Sequence, residues 1–133
     1  MTRVMVFGSF DLIHAGHLEF LKEAKKQGDE LIVVLARDST IEEVKKHTPT
    51  FSEDERKEHM AAVGIADHIV FGHHADKYRI IGELRPDVIC LGYDQKVFAD
   101  ALEEEMSKRN IAARIVRLKP YKEKIYKSSK LKI

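Results

Sequence analysis

The stretch that decides the fold is Val6-Phe7-Gly8-Ser9-Phe10-Asp11-Leu12-Ile13-His14-Ala15-Gly16-His17, followed at once by the helical run Leu18–Gln27. An apolar strand, a glycine turn, a histidine pair and a helix come in succession. Gly8, with no Cβ, lets the backbone turn sharply off the strand end. His14 and His17 stand three apart and straddle Gly16 where the helix begins. Both imidazoles can therefore face one ligand beside the unsatisfied N–H groups of the first turn. Gly16 leaves no side chain between that ligand and the backbone, and the helix dipole adds roughly half a positive charge at that end. The chemistry this suits is polyphosphate binding, with two donors able to follow charge as it develops. Two other readings of the same residues stand beside it. Histidines near a helix start are also ordinary surface residues. A His-x-x-His pair can chelate a metal, but the further ligand is wanting: Asp11 is near in sequence only, and His73 and His74 belong to another loop.

Outward from this stretch, two kinds of segment alternate. Short β-branched, apolar runs occur at Arg3–Phe7, Glu30–Ala36, His68–Phe71, Asp87–Leu91 and Ala113–Leu118. Helical patterns lie between them at Leu18–Gln27, Ser52–Val63, Lys77–Leu84 and Val97–Arg109. In the first helix Leu18, Leu21, Ala24 and Lys25 recur at helical spacing, and Gly28 is placed to end it in a left-handed cap. Ser52 with Glu55 is a capping-box pattern, and Pro86 stops a helix ahead of the fourth strand. Leu31-Ile32-Val33-Val34-Leu35 is apolar throughout instead of alternating, as in parallel strands covered on both faces. The pattern predicts an α/β fold: a Rossmann-like, doubly wound parallel sheet of about five strands with helices on both faces. Residues 1–133 read as a single domain. In that architecture ligands bind at the carboxyl ends of the strands, where the strand order reverses.

Composition sets outer limits. The chain has 133 residues, 44% of them hydrophobic and 34% charged, with a net charge of +1. That is an ordinary globular balance with enough chain for one real core. Met1-Thr2-Arg3 runs directly into a strand, and no apolar run spans a bilayer, so a cytoplasmic protein without membrane contact is expected. Cys90 is the one cysteine and lies in an apolar run, which excludes an internal disulfide and suggests a buried, inert thiol. From Arg114 onward there are eight Lys/Arg against Glu123 alone. Such a tail is a solvated end, a weak nucleic-acid patch or one wall of a phosphate site. Nucleic-acid binding is the weakest of these, because no aromatic platform beyond Tyr121 and Tyr126 accompanies the lysines.

These residues resemble the HxGH nucleotidyltransferases, the cytidylyltransferase-like branch of the Rossmann-like superfamily. Gly8-Ser9-Phe10-Asp11 is similar to that branch's G-T-F-D segment, with serine keeping the hydroxyl, and His14-Ala15-Gly16-His17 matches HxGH in full. Ala36–Thr40, the S-x-x-E-R pattern of Ser52–Arg56, the Leu91-Gly92-Tyr93-Asp94-Gln95 loop and Tyr126–Leu131 extend the resemblance over nearly the whole chain. It implies in-line attack by an acceptor phosphate on the α-phosphorus of an NTP, expelling pyrophosphate. Such an acceptor is already anionic, so catalysis reduces to positioning and charge stabilisation. His14 and His17 are the implied catalytic residues. Ser9, Phe10, His14, Ala15, Gly16 and His17 are the implied nucleotide site, with Asp94 reading the base or ribose, Tyr121 stacking on the base or closing the pocket, and Ser128 and Ser129 on the β,γ-phosphates. Lys130 and Lys45 are implied phosphate or acceptor contacts; Lys45 is otherwise a solvated lysine, since His47 replaces the second lysine of the family's K-x-K pair. Arg56 either contacts phosphate or pairs locally with Glu53 or Glu55. Mg²⁺ is expected, held by phosphates and by no protein ligand.

Within the superfamily the chain most resembles archaeal-type FAD synthetases, which are FMN adenylyltransferases. The implied substrates are ATP and FMN and the products FAD and pyrophosphate. A glycerol-3-phosphate cytidylyltransferase using CTP shares the motifs, but its relatives favour an R-T-x-G-I-S-T-T tail that this chain lacks. A non-catalytic nucleotide sensor is a further alternative, set against by the intact His14 and His17. The resemblance also implies a homodimer.

Overall fold

The computed structural model describes residues 1–74, 76–92 and 96–118. They form one five-stranded sheet, all parallel, in the order β3-β2-β1-β4-β5. The strands are β1 (Arg3–Gly8), β2 (Glu30–Leu35), β3 (His68–Phe71), β4 (Val88–Leu91) and β5 (Arg114–Arg117). Five helices accompany them: α1 (Ala15–Lys25), α2 (Asp38–Lys45), α3 (Glu53–Val63), α4 (Arg79–Leu84) and α5 (Lys96–Lys108). The doubly wound α/β expectation is met. No helix among the described residues is long and apolar enough to cross a membrane.

The unbroken apolar runs are explained by two cores, one on each face of the sheet. Alternate side chains Val4 and Val6 of β1, Leu31, Val33 and Leu35 of β2, and Val88 and Cys90 of β4 join Leu21 and Ala24 of α1 and Met60 of α3. The intervening Met5, Ile32, Val34, Ile89 and Leu91 join Ile80 and Ile81 of α4 and Leu102 and Met106 of α5. A strand that must fill both cores has no polar side to show. Cys90 is fully buried, and burial pushes its thiol up to about 11, which makes it the inert residue expected.

β1 is the middle of the sheet. It pairs with β2 from Arg3 opposite Glu30 to Gly8 opposite Leu35, and with β4 at Val4–Val88 and Met5–Ile89. Its entry is fastened on both sides. The Thr2 N–H donates to Asp29 Oδ2 at 2.7 Å. The Arg3 N–H donates to Asp87 Oδ2 at 2.8 Å, and the Arg3 guanidinium donates to the Leu84 carbonyl at 2.9 Å. The chain passes from one side of β1 to the other between β3 and β4, so the strand order reverses between β1 and β4, the place at the carboxyl edge where ligands bind in such sheets.

Two local expectations need correcting. The apolar pattern marks no helix over residues 38–45, yet they form helix α2. Ile41 is its buried residue, too little for an apolar period to register. Gly28 does not cap α1 in the left-handed region: the C-cap is Lys26, in right-handed conformation. What requires glycine there is close approach, because a Cβ on Gly28 would stand 2.7 Å from the Thr2 carbonyl oxygen and 2.8 Å from Val4 Cγ2. Gly28→Ala must push the start of β1 away, and we expect a loss of about 1–3 kcal/mol in urea unfolding, the range for overpacking.

Candidate active site

The turn after β1 is built from its own side chains. Phe10 has φ of 49°, in the left-handed region, and its buried ring lies over Gly8, where a Cβ would meet Phe10 Cε2 at 2.7 Å. That conformation costs a non-glycine residue about 1 kcal/mol or more, and it is held because the ring has a place in the α1–α3 core. The same ring meets His17 edge-on, with centroids 5.4 Å apart. One strained residue thus closes the turn and sets a wall against the second histidine.

His14 and His17 form a reciprocal cap on α1. His14 is the N-cap residue, with extended backbone, and its Nδ1 accepts from the Gly16 N–H at 3.0 Å. His17 Nδ1 accepts in turn from the His14 N–H at 3.2 Å. The rings stack with centroids 3.9 Å apart and 20° between planes. This is the logic of a capping box with imidazoles in place of the hydroxyl and carboxylate. A nitrogen that accepts cannot carry a proton, so each capped ring is neutral and holds its hydrogen on Nε2. Sequence spacing placed the two rings together; it did not show that they use one nitrogen each to hold the helix start. Because Gly16 N–H already has a partner, a phosphate taking that donor competes with the cap.

A second layer fixes the turn from behind. Arg56 of α3 is fully buried. Its Nη1 donates to the Ser9 carbonyl at 3.0 Å, its Nε to the Phe51 carbonyl at 3.2 Å and its Nη2 to Asp38 Oδ1 at 2.8 Å. Asp38, at the head of α2, also accepts from the Glu53 N–H, while Glu53 accepts from the Asp38 N–H and from Arg37 Nη1. Arg37 spans on to the Gly72 carbonyl and lies over the Phe71 ring. Arg56 therefore neither faces a phosphate nor pairs with Glu53 or Glu55, as local sequence had suggested. A buried guanidinium has to use its donors, and it uses them on two backbone carbonyls and a carboxylate from three separate segments.

Asp11 supplies the remaining tie. Its two carboxylate oxygens accept from the Thr50 and Phe51 N–H groups at 2.7 and 2.8 Å, clasping the 47–51 loop to the turn. Burial tends to raise its pKa, but those backbone donors and the nearby Arg56 charge outweigh it and hold the carboxyl below the ordinary range. The α3 start is capped as expected, with Ser52 Oγ accepting from the Glu55 N–H and Glu55 Oε1 from the Ser52 N–H.

The family model of the cytidylyltransferase-like proteins matches residues 5–132. The chain belongs to the cytidylyltransferase-like family. An FAD synthase of Aciduliprofundum boonei is 50% identical over 121 residues, covering 91% of this chain and 80% of the relative. An FAD synthase of Methanosarcina barkeri is 45% identical over 123 residues, covering 92% and 87%. A crystal structure described as a lipopolysaccharide core biosynthesis protein, from Thermoplasma volcanium, matches with a TM-score of 0.85 at 42% identity, over 91% of this chain and 98% of its own.

Of the residues marked out by resemblance to this cytidylyltransferase-like family, Ser9, Phe10, His14, Ala15, Gly16 and His17 lie together at the β1–α1 turn. His14 and Ala15 are exposed, and Ser9, Gly16 and His17 are half-buried. Asp94, Tyr121, Ser128, Ser129 and Lys130 lie outside the described residues. Lys45 ends α2, and its side chain lies outside them too. Among the described residues no three His, Cys, Asp or Glu side chains are grouped to hold a metal ion. Arg56, Asp38 and Asp11 are the supports that sequence reasoning did not assign. The S-x-x-E-R pattern marked the first of them, but burial, which decides its role, is not written in local spacing.

Two outcomes follow. Arg56→Met leaves the Ser9 and Phe51 carbonyls and Asp38 without their donor, and we expect a loss of about 3 kcal/mol in chemical unfolding. That is the low end for breaking a buried pair, since Asp38 keeps contact with water. Asp11, with its folded pKa lowered, contributes stability that is full above its unfolded pKa of about 4 and is lost as pH falls through the folded value. The stability gap between the parent chain and Asp11→Asn, measured by urea unfolding, should therefore be constant near neutral pH and shrink as the pH falls below about 4.

Proposed function

We propose that this protein is an FAD synthase, transferring AMP from MgATP to FMN and releasing pyrophosphate. What carries the reading is the identity of 50% and 45% to two FAD synthases over more than nine-tenths of the chain, together with the paired histidines at the carboxyl end of the central strand. An oxygen of the FMN phosphate attacks the α-phosphorus of ATP, a new P–O–P bridge forms, and the bond to the pyrophosphate leaving group breaks. The acceptor is anionic at neutral pH, so no base is needed and the protein's part is alignment and charge stabilisation.

In this reading His14 and His17 donate from Nε2–H to the α-phosphoryl oxygens and the leaving bridge, while Ser9, Phe10, Ala15 and Gly16 form the cradle for the phosphates. Neutral donors suit the task, because they strengthen with the charge that develops and need not be reorganised. Asp94, Tyr121, Ser128 and Ser129 complete the nucleotide site, and Lys45 and Lys130 meet phosphate or acceptor. These assignments rest on sequence resemblance. Mg²⁺ would enter with ATP as part of the substrate and offset charge on its phosphates. A homodimer and a cytoplasmic setting belong to the same proposal.

The test is product formation. Purified protein with Mg²⁺ and FMN should yield FAD and pyrophosphate with ATP and none with CTP. Pyrophosphate released from CTP only when glycerol 3-phosphate is added would keep the mechanism and overturn the substrates. His17→Ala should lower kcat by about 10²–10³, the usual cost of one such donor, with a much smaller change in ATP affinity. Equal losses in both would remove His17 from the transition state.

A further inference from the structure

Away from the turn, three side chains from two elements stand in one hydrogen-bonded line. Ser39 and Glu43 are four residues apart on α2 and so share a face. His74, from the loop after β3, reaches between them. Its Nδ1 lies 2.7 Å from Ser39 Oγ, and its Nε2 lies 2.7 Å from Glu43 Oε2. All three residues are exposed, so a reagent in solution can reach them.

The chemistry of the line orders its protons. An ionised carboxylate only accepts, so Nε2 carries the hydrogen given to Glu43. In the neutral ring Nδ1 is then an acceptor, and the Ser39 hydroxyl donates to it. A hydroxyl donating to an imidazole whose other N–H is held by a carboxylate is the arrangement that activates a serine. The two nitrogens are used in the opposite sense from the serine proteases. Taking a proton at one and being oriented through the other does not depend on which is which. Ser39 lies in the first turn of α2, where Glu53 already accepts from the Asp38 N–H, so it is the hydrogen-bonded line and not the helix start that carries the activation.

We propose that Ser39 is an activated nucleophile that accepts acyl groups from small activated esters, with His74 as its general base and Glu43 as a positioning residue. Ser39 Oγ bonds to the ester carbonyl carbon, the ester C–O bond breaks with the alcohol leaving as its anion, and the hydroxyl proton passes to His74 Nδ1. The proposal does not depend on nucleotide transfer at the His14–His17 turn.

The full chain treated with p-nitrophenyl acetate tests this, by peptide mass mapping of acetyl groups over time with Ser52 and Ser107 as internal standards. Acetylation of Ser39 should run about 10²-fold faster than that of Ser107, and His74→Gln should remove most of that advantage, the scale of general-base catalysis. Ser39→Ala, assayed alongside for FAD formation, should keep its full rate. Ser39 no faster than Ser107, or unchanged in His74→Gln, overturns the proposal and leaves the line as a surface tie between α2 and the β3–α4 loop. Loss of FAD formation in Ser39→Ala overturns the independence of the two sites.

Discussion

One buried cation holds the site together. Arg56 cannot be solvated where it sits, so its guanidinium must be met by oxygen, and the oxygens come from the turn after β1, the loop before α3 and the head of α2. Burying an ion is costly, and a hydrophobic residue of similar size would fill the space. What it would not do is fix the direction of the Ser9 carbonyl. The peptide plane after Ser9 leads into Phe10, whose left-handed φ is tolerated only while the turn stays closed. Arg56 acts on the histidines through this backbone, at second hand.

The histidines show how a site can be preorganised without extra scaffolding. Each ring accepts a backbone N–H of the helix start through Nδ1. Their stacking and the Phe10 edge limit rotation about the remaining torsions. The two imidazoles are therefore also part of the secondary structure, and a substitution that removes one takes away a helix cap.

The parts of this architecture that were legible in the sequence are those set by local chemistry. β2 read as a two-faced strand because five successive apolar residues leave no other reading, and α3 announced itself through Ser52 and Glu55. The turn from Gly8 to His17 stood out because its residue types are unusual in combination. α2 was not legible. It is secured by Asp38, Glu53, Arg37 and Arg56, bonds that span 15 to 18 residues, and it buries too little to show a period. Gly28 was misread for a related reason: a glycine after a helix suggests a cap, while the Thr2 carbonyl that crowds it comes from the far end of the local sequence. Arg56 carried a misleading local signal, since Glu53 and Glu55 offer surface partners that the folded chain passes over.

The central place of β1 has a consequence for assembly. The neighbours of the strand that carries the turn begin at Glu30 and Val88, and the Arg3–Asp87 bond joins residues 84 apart. During synthesis β1 can pair with β2 early, but its other flank stays open until β4 has followed. Closing so distant a pair is slow compared with hairpins or helix pairs. β1 is thus among the last strands to acquire both neighbours, and a partly synthesised chain exposes an unpaired edge of it.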